Sequence, residues 1–184
     1  VLDRDVVEEN LKLLMPCWSE LRRPSAPNSY LQLGMDSELA AELADLDEVQ
    51  VRRAADAAAP LFRLAQPDAV IISALTAQDA GNITANNELD IVVRKQNELF
   101  LLNRWVSARQ SAAAAQCLFG LSSEVMSCFR STTIGDVTRA AGRGIRFAQI
   151  AARPRYFFHA GRHITLSTST RTALAVCCST RAKG

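Results

Sequence analysis

Acidic residues almost vanish from this 184-residue chain after position 90. Only Glu98, Glu124 and Asp136 remain beyond it, against fourteen Arg and Lys, a net of +11. Before it the balance is reversed, seven basic against sixteen acidic, a net of −9. The total of +2 conceals two halves of opposite sign. The second half would attract a polyanion and the first would repel it.

Other scarcities narrow the class. With eight Gly and six Pro among 184 residues and an ordinary apolar fraction, the composition leans towards helices and against wholesale disorder. Aromatics make up 6% of residues, a scarcity that weakens the case for RNA binding by base stacking without excluding it. No apolar run approaches the roughly 20 residues of a membrane-spanning helix. The opening VLDRDVVEEN is charged and acidic, so no signal peptide and a cytoplasmic location are expected.

The five cysteines are odd in number and lack Cys-x-x-Cys spacing, the pattern of reduced thiols. His159, His163, Cys177 and Cys178 form the one metal-like grouping. Adjacent cysteines point apart, and Gly161 with its β-like flanks argues against a helix for His-x-x-x-His, so no metal is expected. No phosphate-binding loop, Gly-x-Ser-x-Gly or His-Glu-x-x-His occurs; the expectation is a non-enzyme without cofactors.

What is present is Ala- and Leu-rich, helix-forming sequence written twice. Leu33-Gly34-Met35-Asp36-Ser37-Glu38-Leu39 lines up with Phe119-Gly120-Leu121-Ser122-Ser123-Glu124-Val125, and Val51 to Ala55 with Val137 to Ala141. After a one-residue slip, Ala65-Gln66-Pro67-Asp68 meets Ala152-Arg153-Pro154-Arg155. Each block precedes a β-like run, Val70-Ile71-Ile72 or Tyr156-Phe157-Phe158. The expected fold is mainly α: a duplicated helical unit, a helix-turn-helix in the second copy, and a short β hairpin near the C-terminus.

Helices are expected over Val6 to Leu21, bent or interrupted at Pro16, and over about Leu89 to Ser107. Asp36, Asp47 (with Gln50) and Thr133 (with Asp136) are the expected caps. RYFFHAGRHITLS is expected to turn at Gly161. The implied division is an acidic assembly unit over 1–75, a linker over 76–87, a basic helix-turn-helix unit over 88–160, and a tail over 161–184.

The helix-turn-helix lies in SAAAAQCLFGLSSEVMSCFR, Ser111 to Arg130. Gly120 is the expected turn, Phe119 and Leu121 the flanking anchors, Met126 and Phe129 the later core positions, and Ser122 the N-cap. Ser123, Glu124, Ser127 and Arg130 then face outward, where Glu can accept from cytosine and Arg can pair with guanine or phosphate. Arg139, Arg143 and Arg146 would form one stripe if their helix continued past Gly142, with Arg153, Arg155 and Arg162 following. Nearly free of acids, this set suits phosphate.

In the first copy, Asp36, Glu38, Glu42, Asp45, Asp47 and Glu48 suit a protein contact instead, with Leu31, Leu33 and Leu61-Phe62 as candidate contact residues. A protein–protein adaptor without DNA contact is the alternative reading, and RNA binding a lesser one.

Tyr30 to Leu39, then Leu46, Gln50, Arg53-Ala54 and Leu61-Phe62-Arg63-Leu64, resemble the FlhD subunit of the FlhD–FlhC transcriptional activators. Ile134-Gly135-Asp136-Val137 and Arg139-Ala140-Ala141 fit the same pattern, and the Gly-Leu-Ser helix resembles the N-terminal part of FlhC. The two-part order is similar to FlhC-related regulators of integrative and conjugative elements. The chain departs from FlhC in lacking a four-cysteine C-terminal cluster and from FlhD in carrying two copies. The resemblance implies an activator of motility or mobile-element transfer genes. Double-stranded DNA is expected to be bound at two spaced half-sites by a homodimer or, as the resemblance implies, by a hetero-oligomer with a second regulator subunit, joined through residues 1–75. RNA polymerase is a further expected partner.

Overall fold

Residues 2–23, 28–78 and 88–179 are described by the computed structural model, which is mainly helical. The first copy runs α1 (Leu2–Leu21), α2 (Ser29–Gln32), α3 (Ser37–Asp45), α4 (Glu48–Ala55), β1 (Phe62–Leu64) and α5 (Asp68–Thr76). The second repeats the order as α6 (Glu88–Gln110), α7 (Ala112–Phe119), α8 (Ser123–Ser131), α9 (Ile134–Ala141), β2 (Ala148–Ile150) and α10 (Pro154–Arg162). α11 (Thr168–Cys177) follows. Pro16 lies inside α1 without ending it.

From the turn glycines onward the duplication keeps one register. Gly34 and Gly120 are 86 residues apart (120 − 34), and both hold positive φ, 72° and 63°. α3/α8, α4/α9, β1/β2 and α5/α10 begin at the same separation. The caps match as well. Asp36 accepts from Leu39 N and Ser122 from Val125 N, while Asp47–Gln50 and Thr133–Asp136 close full capping boxes. Each such cap stabilises its helix by about 1 kcal/mol. The expected slip at Pro67 and Pro154 is absent from the elements. Pro67 is the N-cap of α5, whereas Pro154 is the first residue of α10.

A buried asparagine in each long helix ties down the chain that leads into its strand. Asn10 donates to Ala57 O and Ala59 O (2.9 and 3.0 Å) and accepts from Leu61 N. Asn97 donates to Ile145 O (2.7 Å) and accepts from Phe147 N. A tryptophan–arginine pair is duplicated too. Trp18 Nε1 and Arg22 donate to Leu46 O, Trp105 Nε1 and Arg109 to Thr132 O, and each guanidinium lies over its own indole. Each pair thereby satisfies a carbonyl at the end of α3 or α8.

The compact units do not follow the copies. One comprises 1–62 with 149–184, the other 63–148. In the first, α10 packs on α3 and α4, burying Tyr156, Phe157 and Ala160, and Tyr156 donates its hydroxyl to Ala54 O. In the second, α5 packs on α8 and α9 through Ile71, Ala74 and Leu75. Each copy thus lends its last helix to the unit built on the other copy. The crossing segments β1 and β2 pair antiparallel, with reciprocal bonds from Ala65 N to Phe147 O and from Ala151 N to Leu61 O, both 2.8 Å.

The small β element is therefore present, but outside RYFFHAGRHITLS, which contributes α10 instead. Val70-Ile71-Ile72 and Tyr156-Phe157-Phe158 are helical as well. Short apolar runs fit either structure, and one-sided burial favours the helix here. Residues 168–177 of the expected tail are α11, and most of the expected linker lies outside the described residues. Leu33, Leu61 and Phe62 are core residues rather than contact residues, whereas Leu31 is exposed.

Candidate nucleic-acid interface

In the 63–148 unit the chain leaves α7 through Gly120, whose left-handed backbone suits a residue without Cβ, and enters α8 under the Ser122 cap. Leu121, Val125, Cys128 and Phe129 face the core, and burial pushes the Cys128 thiol up. Phe119 and Met126, the expected anchor and core residue, are only half-buried. Phe119 instead covers Arg104. That side chain is 1% exposed, its guanidinium between the Phe100 and Phe119 rings at 3.8 and 4.1 Å. Nothing in the local sequence marked Arg104 as buried.

Ser123, Glu124, Ser127 and Arg130 are all exposed on the outer face of α8, as the spacing predicts. Arg109 donates to Arg130 O at 2.9 Å, holding the last turn of that helix. Glu124 sits in the first turn, where its charge opposes phosphate at the helix N-terminus yet can accept from a base amine.

The expected arginine stripe does not form, because α9 ends at Ala141 and Gly142 is its C-cap. Arg139 is half-buried in an ion pair with Asp136. Hydrogen bonds from Thr133, backbone then side chain, hold the Asp136 carboxyl below its ordinary range, with a smaller contribution from Arg139. Arg143 donates to Ala77 O at 3.0 Å, Gly144 turns the chain at φ 70°, and Arg146 is half-buried. Arg153 and Arg155 are exposed but belong to the other unit, at the start of α10. Arg162 pairs there with Glu42 and Asp45, which removes Glu42 from any open acidic surface.

Exchange of the end helices also redistributes charge. The 63–148 unit carries nine basic and seven acidic residues, +2, and the other unit twelve of each. The basic C-terminal segment folds with the acidic first copy, so the −9/+11 division exists along the chain and not between bodies.

His159 and His163 do lie one helical turn apart, at the end of α10, with rings stacked at 5.7 Å. Among the described residues, no group of three or more His, Cys, Asp or Glu is placed to hold a metal ion, and no helix is long and apolar enough to cross a membrane. Comparison of the chain with family models, with curated proteins and with solved structures returns no match.

Proposed function

We propose that the chain is a cytoplasmic DNA-binding transcriptional activator subunit that acts by binding rather than catalysis, with α8 as its reading helix. The observation that carries this reading is the α7–Gly120–α8 geometry: a capped second helix, an apolar inner face, and Ser123, Glu124, Ser127 and Arg130 on the outer one. The resemblance to FlhD–FlhC activators points the same way, towards motility or mobile-element transfer genes and an oligomeric assembly. One such helix reads few bases, and each mismatch costs only about 1–3 kcal/mol, so pairing of two units supplies the remaining selectivity.

Selection of bound sequences from random duplexes by the whole chain tests this. Arg130→Ala and Glu124→Ala should each change base preference at particular positions. Absence of any enriched motif, alone and with neighbouring gene products, would refute the proposal.

A protein–protein adaptor is the second reading. It is favoured by the near-balanced charge of both units and by the outer side of α8 carrying one Arg and one Glu, no net charge.

A further inference from the structure

Within the unit formed by 1–62 and 149–184, α10 and α11 border an open cleft of about 580 Å³. That volume lies within the range of pockets that hold small organic molecules. Its two walls differ in chemistry because both helices present residues at intervals of four. Arg155 and His159 of α10 and its C-cap His163 contribute one side, while Thr170, Leu174 and Cys177 of α11, with Leu166 before that helix and Cys178 after it, contribute the opposite side. The other face of α10 is committed to the core through Tyr156, Phe157 and Ala160. The surface exposed in the cleft is predominantly apolar.

The charge of the cleft has one sign. No Asp or Glu lines it, and none occurs anywhere from residue 149 to the end of the chain. Arg155 is exposed. Arg171, the arginine of α11, is spent on Asp56 at 2.9 Å, and Arg162 on Glu42 and Asp45. An arginine and two histidines on one side of a cleft otherwise lined chiefly by Leu166, Leu174, Cys177 and Cys178 match a carboxylate attached to a hydrocarbon or aryl body. A neutral apolar molecule would leave Arg155 unused, and a cation would be repelled by it.

We propose that this cleft binds a small soluble organic acid with an apolar body, its carboxylate at Arg155 and its body along Leu166 and Leu174. Arg155 then serves a ligand in its own unit and not the nucleic acid suggested by its place in a basic segment. The proposal does not depend on DNA binding by α8.

The test is titration of the intact isotope-labelled chain with decanoate below its micellar range and with 2-naphthoate, followed by amide NMR, with decanol as the neutral control. At least one acid should shift α10 and α11 amides saturably, and decanol should bind at least about tenfold more weakly. Loss of one charge-assisted contact corresponds to about 10–100-fold in affinity, so Arg155→Ala should weaken binding by that factor. Arg155 is exposed, so its replacement leaves the core intact. Thr170→Trp, also at an exposed position, should fill the cleft and abolish the shifts while the rest of the spectrum is retained. The proposal is overturned by any of four results: neither acid saturates, decanol equals decanoate, Arg155→Ala keeps wild-type affinity, or the shifts fall only in residues 63–148.

Discussion

Cutting the chain between the copies should leave two pieces that fold only together. A fragment of residues 1–78 retains α1 to α4 but loses the α10 that covers α3 and α4. With α10 go Tyr156 and Phe157, both 0% exposed, and the Tyr156 bond to Ala54 O. Fully burying each such side chain is worth about 1.5–3 kcal/mol, and the hydrogen bond about 1 kcal/mol. The loss is thus about 4–7 kcal/mol, before Ile150 and Ala160 are counted.

The complementary fragment, 88–184, loses α5 from the surface of α8 and α9, with Ile71 at 0% and Leu75 at 1% exposure, or about 3–6 kcal/mol. Against a typical domain stability of about 5–15 kcal/mol, neither fragment retains a secure margin. Circular dichroism should show little cooperative unfolding for either alone. An equimolar mixture should recover the helical signal and sediment as a 1:1 complex. If 88–184 alone unfolds cooperatively within a few degrees of the intact chain, the exchange of end helices contributes little and the reasoning fails.

Asn10→Ala and Asn97→Ala should each destabilise by about 2–4 kcal/mol in denaturant titration, because each removes the side-chain partner of two or more buried or part-buried backbone groups. A change under 1 kcal/mol in either would deny the anchoring role. Gly161→Ala would bring a Cβ to 3.1 Å from Leu46 Cδ1 and 3.3 Å from Gln50 O. The roughly 1 kcal/mol that Ala gains over Gly inside α10 offsets part of that crowding, so a net loss of at most about 2 kcal/mol is expected in the same titration. Burial raises the Tyr156 pKa above the ordinary tyrosine value, so its contribution is complete below about pH 10 and is lost as pH climbs further. Stability measured from pH 8 to 11 should therefore fall more steeply in the wild type than in Tyr156→Phe. A site-selection experiment in which Glu124→Ala returns the wild-type motif would remove that residue from base contact.

Local chemistry was legible in the chain itself. The caps at Asp36, Asp47 and Thr133, the duplicated pattern and the outward face of α8 depend on residues within a few positions of one another, so spacing alone determines them. The same locality explains the errors. Whether Val70-Ile71-Ile72 and Tyr156-Phe157-Phe158 are strands or helices depends on which surface covers them, and both surfaces belong to the other copy.

The charge of each body, the burial of Arg104 between two rings and the placing of Arg155 beside α11 were likewise decided by tertiary structure. Each arises where separate helices meet, and no periodicity within one helix specifies its partner. The sequence determined two like sets of helices. Only folding decided that each set is completed by the other's last helix, because that is where Tyr156, Phe157, Ile71 and Leu75 escape water.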